Sequence, residues 1–327
     1  KLIVFILLYI RILMIFVEVV QNSGGRTGHK MKDYLTSIIY YFLSGYKIIL
    51  NDTWNFPKDN NNHDNHMSMF NLIDKKTNIN RPNNPIYIDY SLANWSGMQY
   101  NKFKEIEENL NLNQKKYQNN HIILRLKGSS RILLSDVYNW EKNKHIKKGK
   151  YKIITNYLRY RYYQINKYVF NKVKALKVAI HIRKGDVYMR PLHQSVKYYE
   201  NIIKQIKTIK VKKIITIYSE KWENYDEKDV YDLKKLEDEQ TKINIIFSIC
   251  LYEYFSEILN NFIFVPTLGQ GSFSDLLINY KEDYSIIIIN HEHRQNKFVD
   301  DMNGKLLFTD NNGYFQVNKL INILSKL

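Results

Sequence analysis

The second half of the chain alternates short apolar runs with segments of helical periodicity, and this alternation limits the possible folds more than any other feature. The apolar runs are rich in β-branched residues, as is typical of strands that are buried on both faces. Strands that alternate with helices form a parallel sheet covered by helices. The runs predicted to be strands are 177–183, 211–219, 262–265 and 284–290, and the helices between them are 196–207, 251–259 and 274–280.

The first half shows the same alternation. An apolar run at 13–20 precedes a glycine-rich turn at 21–29, a helical pattern from Met31 to Phe42 and a second apolar run at 46–50. Gly45 stands where a helix C-cap favours glycine. This order predicts a strand–helix–strand unit. Further strands are predicted at 86–89 and 121–126, with a polar helix at 102–110 between them.

The pattern predicts an α/β protein with two domains, and a length of 327 residues agrees with that number. We assign 1–150 to an N-terminal domain, 151–176 to a linking helix and 177–327 to a Rossmann-like C-terminal domain.

Residues 2–20 are almost wholly apolar and nearly long enough to span a bilayer. Arg11 and Glu18 disfavour a span, because a charge at mid-membrane costs about 2.5–3.5 kcal/mol. We therefore expect 13–20 to be a buried strand and 2–10 to be the tail of a signal or membrane anchor. A true anchor would place the protein in the membranes of the secretory pathway, the ER or Golgi, and without one it would be cytoplasmic.

The chain carries 49 Lys and Arg against 32 Asp and Glu, a net charge of +17. This charge suits nucleic acid, an anionic membrane or a phosphate-bearing ligand, and composition does not choose among them. The most basic segment, 141–177, contains a helical pattern from 155 to 176 that mixes bases with aromatic residues. We favour a helix between the domains, with its aromatic side chains packed and its bases in solvent, over an RNA-binding surface. No nucleic-acid partner is therefore expected.

The sequence gives little indication of a metal-binding site. The single cysteine, Cys250, excludes an intrachain disulfide and a Cys-rich zinc site. His63, Asp64 and His66 could ligate a metal, but the Asn-rich segment around them is better explained as a solvated insertion. We expect neither a metal nor a cofactor.

The sharpest candidate for function is the segment HIRKGD at 181–186, where a strand runs into a loop. Ligands of open α/β sheets bind beyond the carboxyl ends of the strands. Alternation places His181 and Arg183 on one face, with Arg183 nearer the ligand. A guanidinium suits a phosphate, and Asp186 can orient either side chain. The plainer alternative is a strand end with a surface Arg–Asp pair.

Two glycine-containing loops are weaker candidates. GQGSFS at 269–274 lies between a strand and a short helix, where main-chain N–H groups and Ser hydroxyls can bind an anion. Asp275 argues against a phosphate there. The loop GGRTGH at 24–29 would let a ligand approach the main chain, but it does not have the dinucleotide-binding spacing.

Taken together, these segments resemble the fucosyltransferases that use GDP-fucose. VAIHIRKGDV at 178–187 is similar to the HxRRGD strand of that family, especially of the α-1,2 type. SVKYYENIIKQI at 195–206, IITIYSE at 214–220 and GSFS at 271–274 resemble segments that follow it in the same order. GRTGH at 25–29 resembles a loop of the protein O-fucosyltransferases. The similarity covers about half of the chain.

The resemblance implies a GT-B architecture, with two Rossmann-like domains facing across a cleft, and an inverting, metal-independent transfer of fucose from a GDP-sugar to a glycan hydroxyl. It implies that Arg183 neutralises the pyrophosphate, with His181 and Asp186 beside it. The acceptor would bind on the N-terminal side. The residues that the resemblance assigns to the donor are Gly25, Gly28, His29, Glu253, Ser272, Phe273 and Ser274.

Four positions depart from the family pattern: His29, Lys184, Gly271 and Asp275. Lys184 stands where the family has a second Arg, so a bidentate contact becomes a point charge. These departures keep two alternatives open. One is a catalytically inactive GT-B relative, and the other is a protein that binds nucleic acid or another polyanion through the segment 141–177.

Overall fold

The computed structural model describes residues 14–19, 27–49, 82–92, 98–117, 120–128, 132–165, 175–182, 194–219, 227–247, 255, 257–266, 285–290 and 306–326. The chain divides into two compact units, Lys1–Tyr162 and Tyr163–Leu327. The division falls inside the segment 151–176 that the sequence assigns to a linking helix.

The first unit contains one parallel sheet in the order β2-β1-β4-β3. The central strand β1 is buried because its residues Phe16 and Val17 are apolar and lie between two neighbouring strands. The elements are β1 (Ile15–Val19), α1 (Thr27–Ser44), β2 (Lys47–Ile49), β3 (Ile86–Leu92), α2 (Tyr100–Lys116), β4 (Ile122–Gly128), α3 (Leu134–Lys142) and α4 (Lys150–Ile165).

The predicted strand–helix–strand unit is confirmed, since β1 and β2 are parallel neighbours with α1 between them in sequence. Helix α1 buries Tyr34, Ile38 and Ile39 at helical spacing. It ends at Ser44, and the next residue, Gly45, has a φ of +73°, a left-handed conformation that glycine adopts without steric cost. The N–H of Gly45 donates to the carbonyl oxygen of Tyr41 at 3.0 Å, which closes the last turn.

Aromatic side chains hold helices α1, α2 and α3 together. The ring of Tyr40 lies 5.4 Å from that of Phe103, and Phe103 lies 5.2 Å from Trp140. All three side chains are buried. Buried ring pairs stabilise a fold beyond their area alone, so this cluster fixes the position of α3 against the start of α2.

Helix α4 differs from the predicted helix at 155–176. It begins at Lys150, and Leu176 is the first residue of the next strand, where its N–H donates to the carbonyl oxygen of Lys212 at 2.7 Å. The prediction was therefore wrong about Leu176, because pairing with another strand overrides local helical periodicity. Residues 166–174 lie outside the described part of the chain.

The described part of α4 packs on its own unit through apolar positions. Ile154, Leu158 and Tyr162 are buried at a spacing of four residues, as on one face of a helix. Lys150 Nζ donates to the carbonyl oxygen of Phe42 at 2.7 Å, and the ring of Phe42 lies 5.0 Å from that of Tyr157.

The second unit contains a six-stranded parallel sheet in the order β10-β9-β8-β5-β6-β7. Strands β8 and β5 are its centre, with β9 and β6 beside them, and Val178–Ile182, Ile263–Val265 and Ile286–Asn290 are buried throughout. The elements are β5 (Leu176–Ile182), α5 (Val196–Lys207), β6 (Lys213–Ser219), α6 (Lys228–Asp232) with a 3-10 turn (Leu233–Leu236), β7 (Thr241–Phe247), β8 (Ile263–Val265), β9 (Ile286–Asn290), β10 (Leu306–Thr309) and α7 (Val317–Leu324).

The strand order of this sheet is that of a doubly wound Rossmann fold. Counted within the unit, the strands lie in the order 6-5-4-1-2-3, and the winding reverses between β5 and β8. The prediction of an α/β protein with two Rossmann-like units built on parallel sheets is confirmed for each unit by itself.

The sequence did not predict α3, α6, α7 or the outer strands β7 and β10. Strand β7 pairs with β6 alone among the described strands, and its Lys242 is exposed. Edge strands carry such polar residues, so their apolar pattern is weaker than that of central strands. Within the described residues, no helix is both long enough and apolar enough to cross a bilayer.

Candidate functional site

The strongest candidate site lies at the carboxyl edge of the second sheet, where β5 and β8 are neighbours. Ile180 of β5 pairs with Val265 of β8 in a parallel register, so both strands end at the same edge within two residues of each other. HIRKGD begins with the last two residues of β5, and GQGSFS starts four residues after the end of β8 in the sequence. Ligands of doubly wound sheets bind at this reversal point, because the loops diverge there and leave a crevice.

His181 is the one catalytic candidate whose side chain is described. It is the penultimate residue of β5 and is 4% exposed. Its partner in the register is Tyr218 of β6, and paired residues of parallel strands point to the same face. The side chain of His181 therefore lies beside that of Tyr218 near the carboxyl edge of the sheet, and it is buried rather than in solvent.

A hydrogen bond to Glu257 fixes the side chain of Tyr218. Its hydroxyl donates to Glu257 Oε2 at 3.4 Å, and the amide of Asn261 donates to the carbonyl oxygen of Glu257 at 2.6 Å. Burial, reinforced by the nearby Glu257 carboxylate, raises the pKa of Tyr218 well above its ordinary value. Tyr218 is thus a neutral hydrogen-bond donor over the physiological range, next to the imidazole.

Ser219 ends β6 at the same edge and has unused hydrogen-bonding capacity. It pairs with Ile182, the last residue of β5, and is 7% exposed. Its Oγ is buried and makes no hydrogen bond within the described part of the chain. A buried hydroxyl without a partner costs stability, so a ligand that hydrogen-bonds to it is favoured. Sequence reasoning missed this residue as a site, although a polar residue at the end of a predicted strand was a usable signal.

The far side of the same edge is closed by the protein itself. The amide of Asn290, at the end of β9, donates to the carbonyl oxygen of Asp310 at 3.0 Å and to Asn311 Oδ1 at 3.1 Å. The hydroxyls of Tyr198 and Thr309 lie 2.8 Å apart. Because these groups satisfy one another, the ends of β9 and β10 have little capacity left for a ligand, whereas Ser219 at the end of β6 retains it.

The remaining predicted residues are only partly covered by the structure. Gly28 and His29 lie in the first turn of α1, after the strand β1, and their side chains are not described. The predicted residues outside the described part are Arg183, Asp186, Gly25, Glu253, Ser272, Phe273 and Ser274, and so are Cys250 and the histidines at 63 and 66. Among the described residues, no three His, Cys, Asp or Glu side chains group as metal ligands.

Chemically, the described edge offers a buried imidazole, a neutral phenol and an unpaired hydroxyl beside the ends of two parallel strands. Ser219 can donate or accept a further hydrogen bond, while the Tyr218 hydroxyl already donates to the Glu257 carboxylate. Such an edge suits an anionic or polyhydroxyl ligand, whose remaining contacts would come from the loops after β5 and β8.

No protein-family model matches this chain, and no curated protein sequence is detectably similar to it. Solved structures do resemble it. A mutant of FUT1 from Arabidopsis thaliana in complex with GDP gives a TM-score of 0.42 at 10% identity, covering 81% of this chain and 68% of that one. POFUT1 in complex with GDP-fucose gives a TM-score of 0.42 at 13% identity, covering 82% and 94%.

A third similar structure is the heptosyltransferase WaaC from E. coli with ADP-2-deoxy-2-fluoro heptose. It gives a TM-score of 0.38 at 7% identity and covers 96% of this chain and 99% of that one. Similarity at this level is not evidence of a shared substrate.

Proposed function

We propose that this chain is a glycosyltransferase that moves a sugar, fucose, from a GDP-sugar to a glycan hydroxyl, with inversion and without a metal. The observation that supports the proposal most is the position of HIRKGD. Its first two residues end β5 at the reversal point of a Rossmann strand order, and β5 lies beside β8, which GQGSFS follows in the sequence. The sequence resemblance assigns these two segments to one donor site, and the parallel pairing of β5 with β8, the strands that precede them, supports that assignment.

In the proposed reaction, the acceptor oxygen forms a bond to C1 of the sugar as the bond from C1 to the diphosphate oxygen breaks. The electron pair of the broken bond leaves with GDP, and the acceptor's proton passes to a base or to water. Arg183 stabilises the charge that grows on the pyrophosphate, an effect that is large when the donor group is fixed in advance. Asp186 orients Arg183, and Ser272, Phe273 and Ser274 contact the nucleotide.

His181 has a supporting role in this proposal. It is buried beside Tyr218, so its imidazole is fixed by packing rather than by the ligand. A rigid group under the strand end keeps the following loop at a constant position relative to the pyrophosphate. Glu253 is proposed as a contact to the guanine.

The deciding experiment combines calorimetry with a transfer assay on the full chain. We expect GDP to bind in preference to UDP and CDP, and Arg183→Ala to abolish transfer from GDP-fucose while the circular dichroism spectrum is unchanged. Arg183→Lys keeps the charge but loses the planar fork, so it should recover only part of the activity. Full activity of Arg183→Ala would contradict the donor-site assignment, and failure to bind any nucleoside diphosphate would contradict the proposed function.

A further inference from the structure

The first unit contains a cavity of about 350 Å³ between the start of α2 and helix α3 with the turn that follows it. The donor site does not use it. One wall is aromatic: Tyr100 is half-buried and Trp140, which is 5% exposed, supports it, while the rim carries polar side chains, among them Gln99, Asn139 and Asn143. Its volume lies at the lower end of the roughly 300–1,000 Å³ that small-molecule sites occupy, which suits a single ring rather than an extended ligand.

The aromatic wall is rigid. The ring of Tyr100 is stacked on the imidazole of His145, with centroids 4.6 Å apart and planes at 10°, and the Trp140 ring meets Tyr100 at 5.5 Å and 64°. The Tyr100 hydroxyl donates to the carbonyl oxygen of His145 at 2.8 Å, and Phe103 supports Trp140 from the core. A wall that is ordered before binding loses little entropy when a ligand arrives.

The rim has unused hydrogen-bonding groups. The side-chain amides of Gln99, Asn139 and Asn143 are exposed and form no hydrogen bond to any other residue that the structure describes. Each amide supplies both a donor and an acceptor, so the three can pair with hydroxyl groups in either sense. The fourth polar group of the rim, the Asp136 carboxylate, accepts the N–H of Leu133 at 2.8 Å through Oδ2.

Charge narrows the class of ligand. The chain carries +17, yet the residues that line this cavity include no Lys or Arg and one carboxylate, Asp136. An anionic ligand such as a phosphate is therefore disfavoured here. A neutral ring with an apolar C–H face and several hydroxyls matches an aromatic wall with amides around it.

We propose that this cavity binds one neutral sugar residue of the glycan acceptor. The identification of this sugar as part of the acceptor rests on the proposed glycosyltransferase function, whereas the binding of a sugar depends only on the cavity. The C–H face of the sugar packs against the accessible part of the Tyr100–His145 stack, and its hydroxyls pair with the amides of Asn139 and Asn143.

The test is a titration of the full chain with lactose, cellobiose and N-acetyllactosamine, followed by tryptophan fluorescence and saturation-transfer NMR. We expect binding in the millimolar range, and Asn139→Ala/Asn143→Ala to weaken it about tenfold, since it removes two neutral hydrogen bonds. Both residues are exposed, so the variant should fold. Tyr100→Ala should weaken it at least as much. Asn109→Ala, which removes an exposed amide elsewhere on α2, is the matched control.

Kinetics separate this inference from the proposed function. With GDP-fucose and an acceptor glycan, the double variant should raise the KM for the acceptor about tenfold and leave the KM for the donor unchanged. If transfer proceeds and both KM values are unchanged, the cavity is not the acceptor subsite and the proposed function stands. If the wild type binds none of the three sugars, the inference is wrong. If they bind at the cavity but GDP does not bind the chain, the acceptor role is wrong together with the proposed function.

Discussion

At the scale of single residues, Ser219 is a candidate ligand-binding group that the HIRKGD segment does not contain and that the pairing of β5 with β6 places beside the end of that strand. Its hydroxyl is buried at the carboxyl edge, beside the last residue of β5, and has no partner among the described residues. Ser285 is its counterpart at the other edge: it precedes β9, is 2% exposed and also has an Oγ without a partner in the described part of the chain. The two serines differ in position and not in chemistry.

We expect Ser219→Ala to leave the thermal stability of the free protein unchanged or slightly higher, because the lost hydroxyl makes no hydrogen bond that the structure describes. The same change should weaken GDP binding about tenfold or more, since a hydrogen bond to a charged group contributes about 1.5–3 kcal/mol. Differential scanning fluorimetry and calorimetry measure the two effects.

Ser285→Ala is the control for this prediction, and should be equally neutral for stability without changing GDP binding. Equal GDP affinity in Ser219→Ala and the wild type would remove Ser219 from the donor site.

At the scale of elements, helix α2 carries an acidic group that its packing penalises. Glu107 is half-buried against the end of α1 and the start of β2, and its Oε1 is buried without a hydrogen bond from any described residue. Burial raises the pKa of this carboxyl, and a hydrogen bond from Tyr46 opposes the effect only in part. The ionised form is therefore less stable in the folded protein than in the unfolded chain.

The sign of the pH dependence follows from this shift. Below the carboxyl's ordinary pKa the group is protonated in both states and costs nothing, and the destabilisation grows as the pH rises through the raised pKa. We expect Glu107→Gln to raise the Tm by about 2 °C at pH 8, and the gain to disappear near pH 4. The exposed neighbour variant Glu108→Gln removes the same charge and should show no such gain. A gain for Glu107→Gln that is as large at pH 4 as at pH 8 would contradict burial as its cause.

At the scale of the whole molecule, the net charge of +17 leaves the polyanion alternative to be tested directly. A protein that neutralises 6–10 phosphates loses about 10³–10⁵ in affinity between 50 and 200 mM salt, whereas GDP presents only two phosphates. We expect GDP affinity to fall far less over that range, and a single-stranded RNA to show no binding near physiological salt. Calorimetry measures how the GDP affinity changes with salt concentration, and fluorescence anisotropy measures the same dependence for RNA. Tight RNA binding with a steep slope, and none for GDP, would favour the alternative.

The sequence by itself determined the class of fold and the position of the main candidate in it. The apolar run that ends in HIRKGD and the alternation around it predicted a parallel sheet, because burial on both faces requires continuous apolar strands. The sequence also predicted that Gly45 follows the end of α1, because a left-handed residue at that position favours glycine. Edge strands such as β7 escaped detection, because one partner and exposed positions leave a weak pattern.

The tertiary structure alone decided which strands are neighbours. An alternating pattern says which residues are buried, but not which strand lies beside which, so the contact of β5 with β8 across more than 80 residues of sequence had to come from the sheet itself. The unpaired hydroxyl of Ser219 and the wall formed by Tyr100, Trp140 and His145 are likewise features that only the tertiary structure reveals. Each depends on side chains from separate elements, and their meeting is set by packing rather than by any local preference of the chain.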